Sequence, residues 1–387
     1  MSAPYGDVIA RHLPVPLPAD MDLPVDLSDE RLDTPAVLVD LDVMDANIDR
    51  FAGFAKRAGL ALRPHIKSHK SVAIARRQLA AGATGICVSG VTEARTMAAC
   101  EPPDMLIAYP LVGSAKLKRL AGLLGSTPVT VVSDSPQVTE GYRQVAIGTG
   151  QRIPVLVEVD TGMKRVGVPP RDVVTLAKGI TADPLLEFVG IMTHAGHSHD
   201  ATGEPGIAAV ARKEASIMGG LRADLEAAGL DVRTVSAGST ITAPYLTAAD
   251  GITEIRPGTY VYNDLRTLGC HACTPDAIAA TVLATVVSAD GDRVTIDAGN
   301  KTLTPTSEPG YGYGHLLHRP GATFTRLSEE HGVMRLADDL PPPAVGERVR
   351  VLPIHVCVWM DLQAEVYGIR DGRITERISI DAMRHSL

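Results

Sequence analysis

Between Ala61 and Ile255 the chain repeats one plan eight times: a short apolar run, a loop and, in most cases, an Ala-rich segment with helical spacing. The apolar runs are Ala61–Ile66, Gly85–Val88, Met105–Tyr109, Val129–Val132, Ile153–Val159, Phe188–Thr193, Val232–Ala237 and Ile252–Ile255. Helix-period segments stand between them, among them Ser71–Leu79, Ala115–Leu124, Pro170–Lys178 and Gly206–Ala228. Eight alternating strand–helix units are what a parallel (β/α)8 barrel needs. No Gly-rich dinucleotide fingerprint opens the first unit, which argues against a doubly wound open sheet. Ahead of the repeat, Ala36–Asp42 reads as a strand and Val43–Arg57 as a helix. After about Cys270 the texture changes to short β-like runs at Thr281–Ser288, Arg293–Ala298, Arg348–Pro353, Ala364–Arg370 and Ile374–Ile380, separated by Gly, Pro and Asp turns. The expected fold is therefore α/β: an arm over 1–33 without helical or strand period, a (β/α)8 TIM-type barrel over 34–269, and a mostly β domain over 270–387.

Composition narrows the partners. The 37 basic residues against 45 acidic ones give a net charge of −8 with no basic block, which argues against nucleic acid or an anionic membrane as partner. No apolar run approaches a bilayer span, and the N-terminus lacks the layout of a signal peptide. Five cysteines, an odd and sparse set, fit reduced thiols and a cytoplasmic protein. The chain is 45% hydrophobic but only 4% aromatic, so its core must be built from Ala, Val, Leu and Ile.

In a parallel barrel the chemistry gathers at the carboxyl ends of the strands. The first strand runs into Arg63-Pro-His-Ile-Lys-Ser-His-Lys70. Read as a strand, its period of two puts His65, Lys67 and His69 on one face. A lysine close to cationic neighbours and away from bulk water becomes a usable amine nucleophile. A strand end fraying into a polar turn is the plainer reading. Other strands end in Glu158-Val-Asp-Thr-Gly-Met-Lys-Arg165 and in Thr193-His-Ala-Gly-His-Ser-His199. The last two end in Ser236-Ala-Gly-Ser-Thr240 and Arg256-Pro-Gly-Thr-Tyr260, small turns whose free N–H and hydroxyl groups suit a phosphate. In the C-terminal part, His355-Val-Cys357 on a strand would share a face and clamp a soft or borderline divalent ion. The competing reading is a buried Cys beside a satisfied His. Trp359, the single tryptophan, would lie on the same strand face. Cys270-His-Ala-Cys273 has no second Cys pair downstream and reads as incidental.

Together these motifs, with Asp297-Ala-Gly299 and Ser328-Glu-Glu-His-Gly332, resemble the D-threonine aldolase and D-serine dehydratase family, pyridoxal-phosphate enzymes of the alanine-racemase-like fold. The resemblance runs from about Thr34 to Ile380 with the motifs in order. It implies that Lys67 holds pyridoxal 5'-phosphate, with His65 beside it, His194 against the pyridine ring, Arg165 near the phenolic oxygen and Arg256 facing the pyridine nitrogen. It implies a phosphate held by Gly238, Ser239, Gly258 and Thr259 with Tyr260 nearby. It further implies a divalent metal (Mn, Mg or Zn) on His355 and Cys357 touching the substrate's β-hydroxyl, an arm that joins the β domain, and a homodimer. The substrate implied is a small β-hydroxy D-amino acid. Lys67 and His194 would be the catalytic pair, in retro-aldol cleavage to glycine and an aldehyde or, alternatively, in dehydration to a 2-oxo acid and ammonia. The racemase branch places a tyrosine near the Asp-Ala-Gly position as a second base, whereas Asn300 and Lys301 follow Gly299 here. A non-catalytic vitamin-B6 carrier would resemble only the barrel half, so the residues from about 270 onward count against it.

Overall fold

The computed structural model describes Leu17 and residues 21–319, 321–337 and 340–385. Two short strands, β1 (Val25–Asp26) and β2 (Ala36–Asp40), lead into helix α1 (Leu41–Ala58). Eight strands follow: β3 (Ala61–Leu62), β4 (Ile86–Val88), β5 (Met105–Ile107), β6 (Val129–Ser133), β7 (Ile153–Val159), β8 (Leu186–Thr193), β9 (Thr234–Ala237) and β10 (Glu254–Ile255). Between them stand α2 (Val72–Ala80), α3 (Val91–Met97), α4 (Ser114–Ala121), α5 (Pro136–Thr149), α6 (Val173–Ala182) and α7 (Gly203–Ala227).

The eight strands form one parallel sheet in the order β3-β10-β9-β8-β7-β6-β5-β4. Its ends meet through a parallel bridge between His65 and Cys87, with Cys87 N–H donating to the Pro64 carbonyl at 2.8 Å. Strands buried on both faces read as unbroken apolar runs, and β4 and β5 are buried at every residue. One residue from each of five successive strands, Cys87, Leu106, Val132, Leu156 and Met192, forms a shared buried cluster. Burying each such side chain contributes roughly 1.5–3 kcal/mol. Gly190 marks a register shift where β8 carries an extra residue against β7. Its φ is +142°, and a Cβ there would stand 1.9 Å from the Thr234 carbonyl oxygen of β9, so only glycine lets the two strands pair.

The remaining strands form the antiparallel part. After α8 (Leu265–Gly269) come β11 (Ala280–Asp290), β12 (Arg293–Ile296), the helical turn α9 (Asn300–Leu303), β13 (His315–Leu316), β14 (Ala322–Leu327), β15 (Gly332–Leu336) and β16 (Arg348–Leu352). A five-residue helix, α10 (Val356–Met360), then precedes β17 (Glu365–Arg370) and β18 (Arg373–Ser379). The sheet order is β1-β18-β17-β2-β11-β12-β15-β14-β13-β16, and β16 pairs back onto β11. Its core includes Leu38, Leu283, Tyr367 and Ile374 together with Leu17, Val25 and Leu32 of the N-terminal arm. Arg348 fastens that arm by donating to the carbonyls of Leu27, Asp29 and Leu32 at 2.6, 3.1 and 2.6 Å. The other arm residues, 1–16 and 18–20, lie outside the described residues.

The chain divides into two compact units. The barrel unit holds Asn47–Tyr260, Gly269–Ala272 and the C-terminal tail from Arg384. The β unit holds the chain up to Ala46 together with Val261–Leu268 and Cys273–Met383. The boundary expected at Thr34 thus moves to Asn47, because β2 pairs with β11 and β17 and not with a barrel strand. No helix among the described residues is long and apolar enough to cross a membrane.

Candidate active site

β3 stops at Leu62, and the chain reaches His65 in an extended conformation before turning through a 3-10 segment at Ile66–Ser68. The strand expected to carry His65, Lys67 and His69 on one face is corrected to a turn: extended pairing reaches His65, whose N–H donates to the Pro257 carbonyl at 2.9 Å, and the backbone turns from Ile66. His65 Nδ1 receives the Lys67 N–H at 3.4 Å. His69 turns into the core, its Nε2 lying 3.1 Å from Gln78 Oε1 while Nδ1 accepts the Ser71 N–H at 3.1 Å. Burial brings its pKa down to about 4, so it is a neutral, hydrogen-bonded core histidine.

The carboxyl ends of neighbouring strands bring up the other groups. His194 directly follows β8, and Arg256 directly follows β10. Burial, and then the charges of Lys67 and Arg256, hold both His65 and His194 well below the ordinary imidazole range, with Arg165 adding to the effect on each. Both rings are therefore neutral at physiological pH. Arg256 is buried and donates to Ser236 Oγ at 2.5 Å and to the Thr193 carbonyl. Arg165 is solvent-exposed on the loop after β7. That loop is folded by Asp160, which accepts the N–H groups of Gly162 and Lys164 at 2.9 and 3.0 Å. Glu158 of β7 is buried with Oε2 unpartnered, and burial, opposed by Arg256 and Arg165, pushes its carboxyl up to about 7.

The two glycine turns are bonded to each other. Thr240 Oγ1 accepts the N–H groups of Gly258 and Tyr260, each at 3.2 Å. Gly238 has φ +77° and donates its N–H to Glu214 of α7 at 3.2 Å, while Ser239 N–H donates to Thr242 Oγ1 at 2.9 Å. The Thr240 N–H has no acceptor among the described residues. A Cβ on Gly258 would stand 2.9 Å from Ser68 Oγ and 3.1 Å from the His65 carbonyl, so glycine lets this turn lie against the Lys67 turn. Thr259 begins the next 3-10 turn. The Tyr260 ring is buried against Phe51 at 4.5 Å, and its hydroxyl accepts from Gln78 Nε2 at 2.9 Å, so its side chain supports the turn from within the core. An amine, two adjoined turns with a free N–H, and neutral imidazoles beside arginines fit a phosphate ester carrying an aldehyde.

The β unit carries the other candidate pair. The strand expected for His355-Val-Cys357 is corrected to a helix start: His355 is the extended N-cap residue of α10, and Asp264 holds both its imidazole and the next backbone N–H. The Asp264 carboxylate accepts the His355 Nδ1 proton at 3.1 Å, the Val356 N–H at 3.0 Å and the Thr267 N–H at 2.7 Å. Burial pulls the His355 pKa down, but the Cys357 sulfur and Asp264 outweigh it and push it up to about 10. His355 and Cys357 are thus in contact, and Nε2, the ring nitrogen not held by Asp264, is the one that would bind a metal on giving up its proton. Among the described residues no group of three or more His, Cys, Asp and Glu side chains converges as a metal site, so water or substrate would have to complete the shell around this pair. Trp359 is fully buried inside α10 and does not share a strand face with Cys357. Cys270 lies 3.9 Å from His199 Nδ1.

Sequence reasoning passed over Asp264 and Glu214, and took Ser236 only as part of a turn suited to a phosphate. Asp264 stands three residues before Thr267 at the start of a helix, which is an N-cap signal. Glu214 sits on the α7 face with Ala211 and Met218, where a carboxylate among apolar positions is the only mark of its role.

The family model for the alanine racemase N-terminal domain matches residues 39–265, and that for a serine dehydratase domain matches residues 279–369. A D-threonine aldolase of Arthrobacter sp is 33% identical over 97% of this chain and 98% of its own length. A D-threo-3-hydroxyaspartate dehydratase of Delftia sp. (strain HT23) is also 33% identical, over 84% of this chain and 91% of that protein. Among solved structures, D-threonine aldolase from Filomicrobium marinum superposes with a TM-score of 0.87 at 30% identity, covering 94% of this chain and 99% of that one. By motif order, architecture and these matches along its length, the chain belongs to the D-threonine aldolase and D-serine dehydratase family of the alanine-racemase-like fold.

Proposed function

We propose that this protein is a lyase, dependent on pyridoxal phosphate and a divalent metal, that cleaves β-hydroxy D-amino acids to glycine and an aldehyde. The observation that carries this reading is the gathering, at the carboxyl ends of barrel strands, of the Lys67 turn, the two turns joined through Thr240, and Arg256. When bound, pyridoxal phosphate supplies an electron sink for the bond broken at Cα. Lys67 would hold it, and Gly238, Ser239, Gly258 and Thr259 would surround its phosphate. Arg256, fixed on Ser236 and the Thr193 carbonyl, would meet the ring nitrogen, and Arg165 the phenolic oxygen. His65 and His194 are neutral, so either ring can take up a proton from substrate without first losing one. His355 and Cys357 would hold the metal, which supplies Lewis acidity toward the β-hydroxyl. Support comes from the Asp264 carboxylate behind His355, an arrangement that commonly orients metal-binding imidazoles. The existence of a metal-free form of a related D-threo-3-hydroxyaspartate dehydratase variant also supports it. A homodimer working in the cytoplasm completes the reading, on the strength of the family resemblance.

The second reading, β-elimination to a 2-oxo acid and ammonia, is favoured by the equal identity to the Delftia dehydratase. Purified protein incubated with D-threonine, pyridoxal phosphate and Mn, Mg or Zn separates the two. Acetaldehyde with glycine supports the aldolase, and 2-oxobutyrate with ammonia supports the dehydratase. Failure to turn over any β-hydroxy D-amino acid overturns both. Lys67→Ala is expected to abolish the visible absorbance of the loaded protein as well as its turnover.

A further inference from the structure

Behind Arg256 a buried polar chain continues through residues given no role above, Glu254 and Arg63. Arg256 Nη1 donates to Ser236 Oγ at 2.5 Å, and the Ser236 hydroxyl in turn donates to Glu254 Oε1 at 2.5 Å. The other oxygen of Glu254 accepts from Arg63 Nε at 2.7 Å, and Arg63 Nη2 meets Asp104 Oδ2 at 2.8 Å. Ser236 and Glu254 are direct cross-strand partners on β9 and β10, so the hydroxyl–carboxylate contact is fixed by sheet register. Ser236, Glu254, Arg256 and Arg63 are all buried, at 0%, 3%, 6% and 9% exposure. Asp104 and Arg63 line the cavity at the amino ends of the strands. The chain therefore runs from the barrel mouth to its base.

The order of these contacts matters electrostatically. Two cations, Arg256 and Arg63, balance two anions, the buried Glu254 and the part-exposed Asp104 at the cavity. Glu254 touches Arg63 directly but reaches Arg256 only through a hydroxyl. A carboxylate placed directly on Arg256 would form a forked ion pair and hold the guanidinium to itself. With Ser236 interposed, Arg256 keeps one nitrogen on an oriented oxygen and another on the Thr193 carbonyl, with its charge only partly offset.

We propose that Ser236, Glu254 and Arg63 are positioning residues: they fix the Arg256 guanidinium at the barrel mouth and set how much of its positive charge reaches the cofactor ring. This rests on the reading that Arg256 faces that ring. None of the three is catalytic, since each acts only through Arg256.

Ser236→Ala, the mild change, and Glu254→Gln, which keeps shape and removes charge, test the relay singly and together. In the loaded protein each is expected to displace the visible absorption maximum and to lower kcat about tenfold with KM changed less than about twofold. The double variant is expected to fall no further than the worse single one, because both break the same chain. In the unloaded protein, hydrogen exchange of the Arg256 guanidinium is expected to quicken at least about tenfold in Ser236→Ala, matching a lost buried hydrogen bond. An unmoved absorption maximum, fully additive losses or unchanged guanidinium exchange would each overturn the relay. If the wild-type protein takes up no pyridoxal phosphate, the functional reading fails, and the exchange measurement on unloaded protein still decides whether the chain holds Arg256.

Discussion

The Asp264 carboxylate accepts the Nδ1 proton of His355 at 3.1 Å, which fixes the orientation of the ring and presents Nε2 on the side away from that contact. Asp264→Asn keeps the shape but removes the charge that makes His355 a better ligand. Metal affinity, followed by competition with a chromophoric chelator, is expected to fall about 10–100-fold. Affinity equal to wild type would mean that the pair is not oriented from behind.

The proposed cofactor groups all lie within the barrel unit, and His355 and Cys357 within the β unit. Cys357→Ala removes a proposed metal ligand and none of the proposed cofactor groups, so it is expected to weaken metal binding while leaving pyridoxal phosphate titration within about twofold of wild type. A chelator should stop turnover without removing the visible absorbance. Loss of cofactor together with metal would contradict this separation.

Glu158 gives a dependence on pH with a definite sign. Its carboxyl stands at about 7 in the folded protein, against an ordinary 4.5, because burial outweighs Arg256 and Arg165. Between those values the folded state holds a proton that the unfolded state has released, so stability falls as pH rises through this window. Above pH 7 the loss is on the order of 3 kcal/mol. Glu158→Gln, neutral at every pH, should raise Tm relative to wild type at pH 8 and give no such gain near pH 4. An equal Tm difference at both pH values would count against a raised carboxyl.

Gly258→Ala places a methyl 2.9 Å from Ser68 Oγ and 3.1 Å from the His65 carbonyl. The turn must move off the Lys67 turn, at a cost of about 1–3 kcal/mol, and cofactor affinity should weaken with it. Gly148→Ala is the control, because a Cβ there meets nothing within 4 Å on helix α5. It should gain about 0.5–1 kcal/mol of stability. Thermal melts and cofactor titration read both variants.

The eight barrel strands were legible because each is a continuous apolar run bounded by turns, and all eight runs became strands of the parallel sheet. The C-terminal β runs were legible for the same reason, but β14 and β15, with alternating exposed residues such as Thr323 and Arg335, were not. Spacing misled at the polar motifs. His65, Lys67 and His69 have strand period, yet the ladder ends at His65 and the backbone turns. His355-Val-Cys357 has it too, yet Asp264, distant in sequence, starts a helix there. Of the site, the residues ending strands could be picked out by position. Ser236, Glu214 and Asp264 work through partners 20, 24 and 91 residues away, a relation that no local pattern carries.

The bridge between His65 and Cys87 that joins the two ends of the parallel sheet lies two residues from Lys67, and His65 N–H is also held by the Pro257 carbonyl at 2.9 Å. The seam of the cylinder and the Lys67 turn are thus built from the same stretch of chain. Any small molecule that grips Lys67 and the turn beyond Pro257 acts as a clasp across the joint and raises the melting temperature with its concentration.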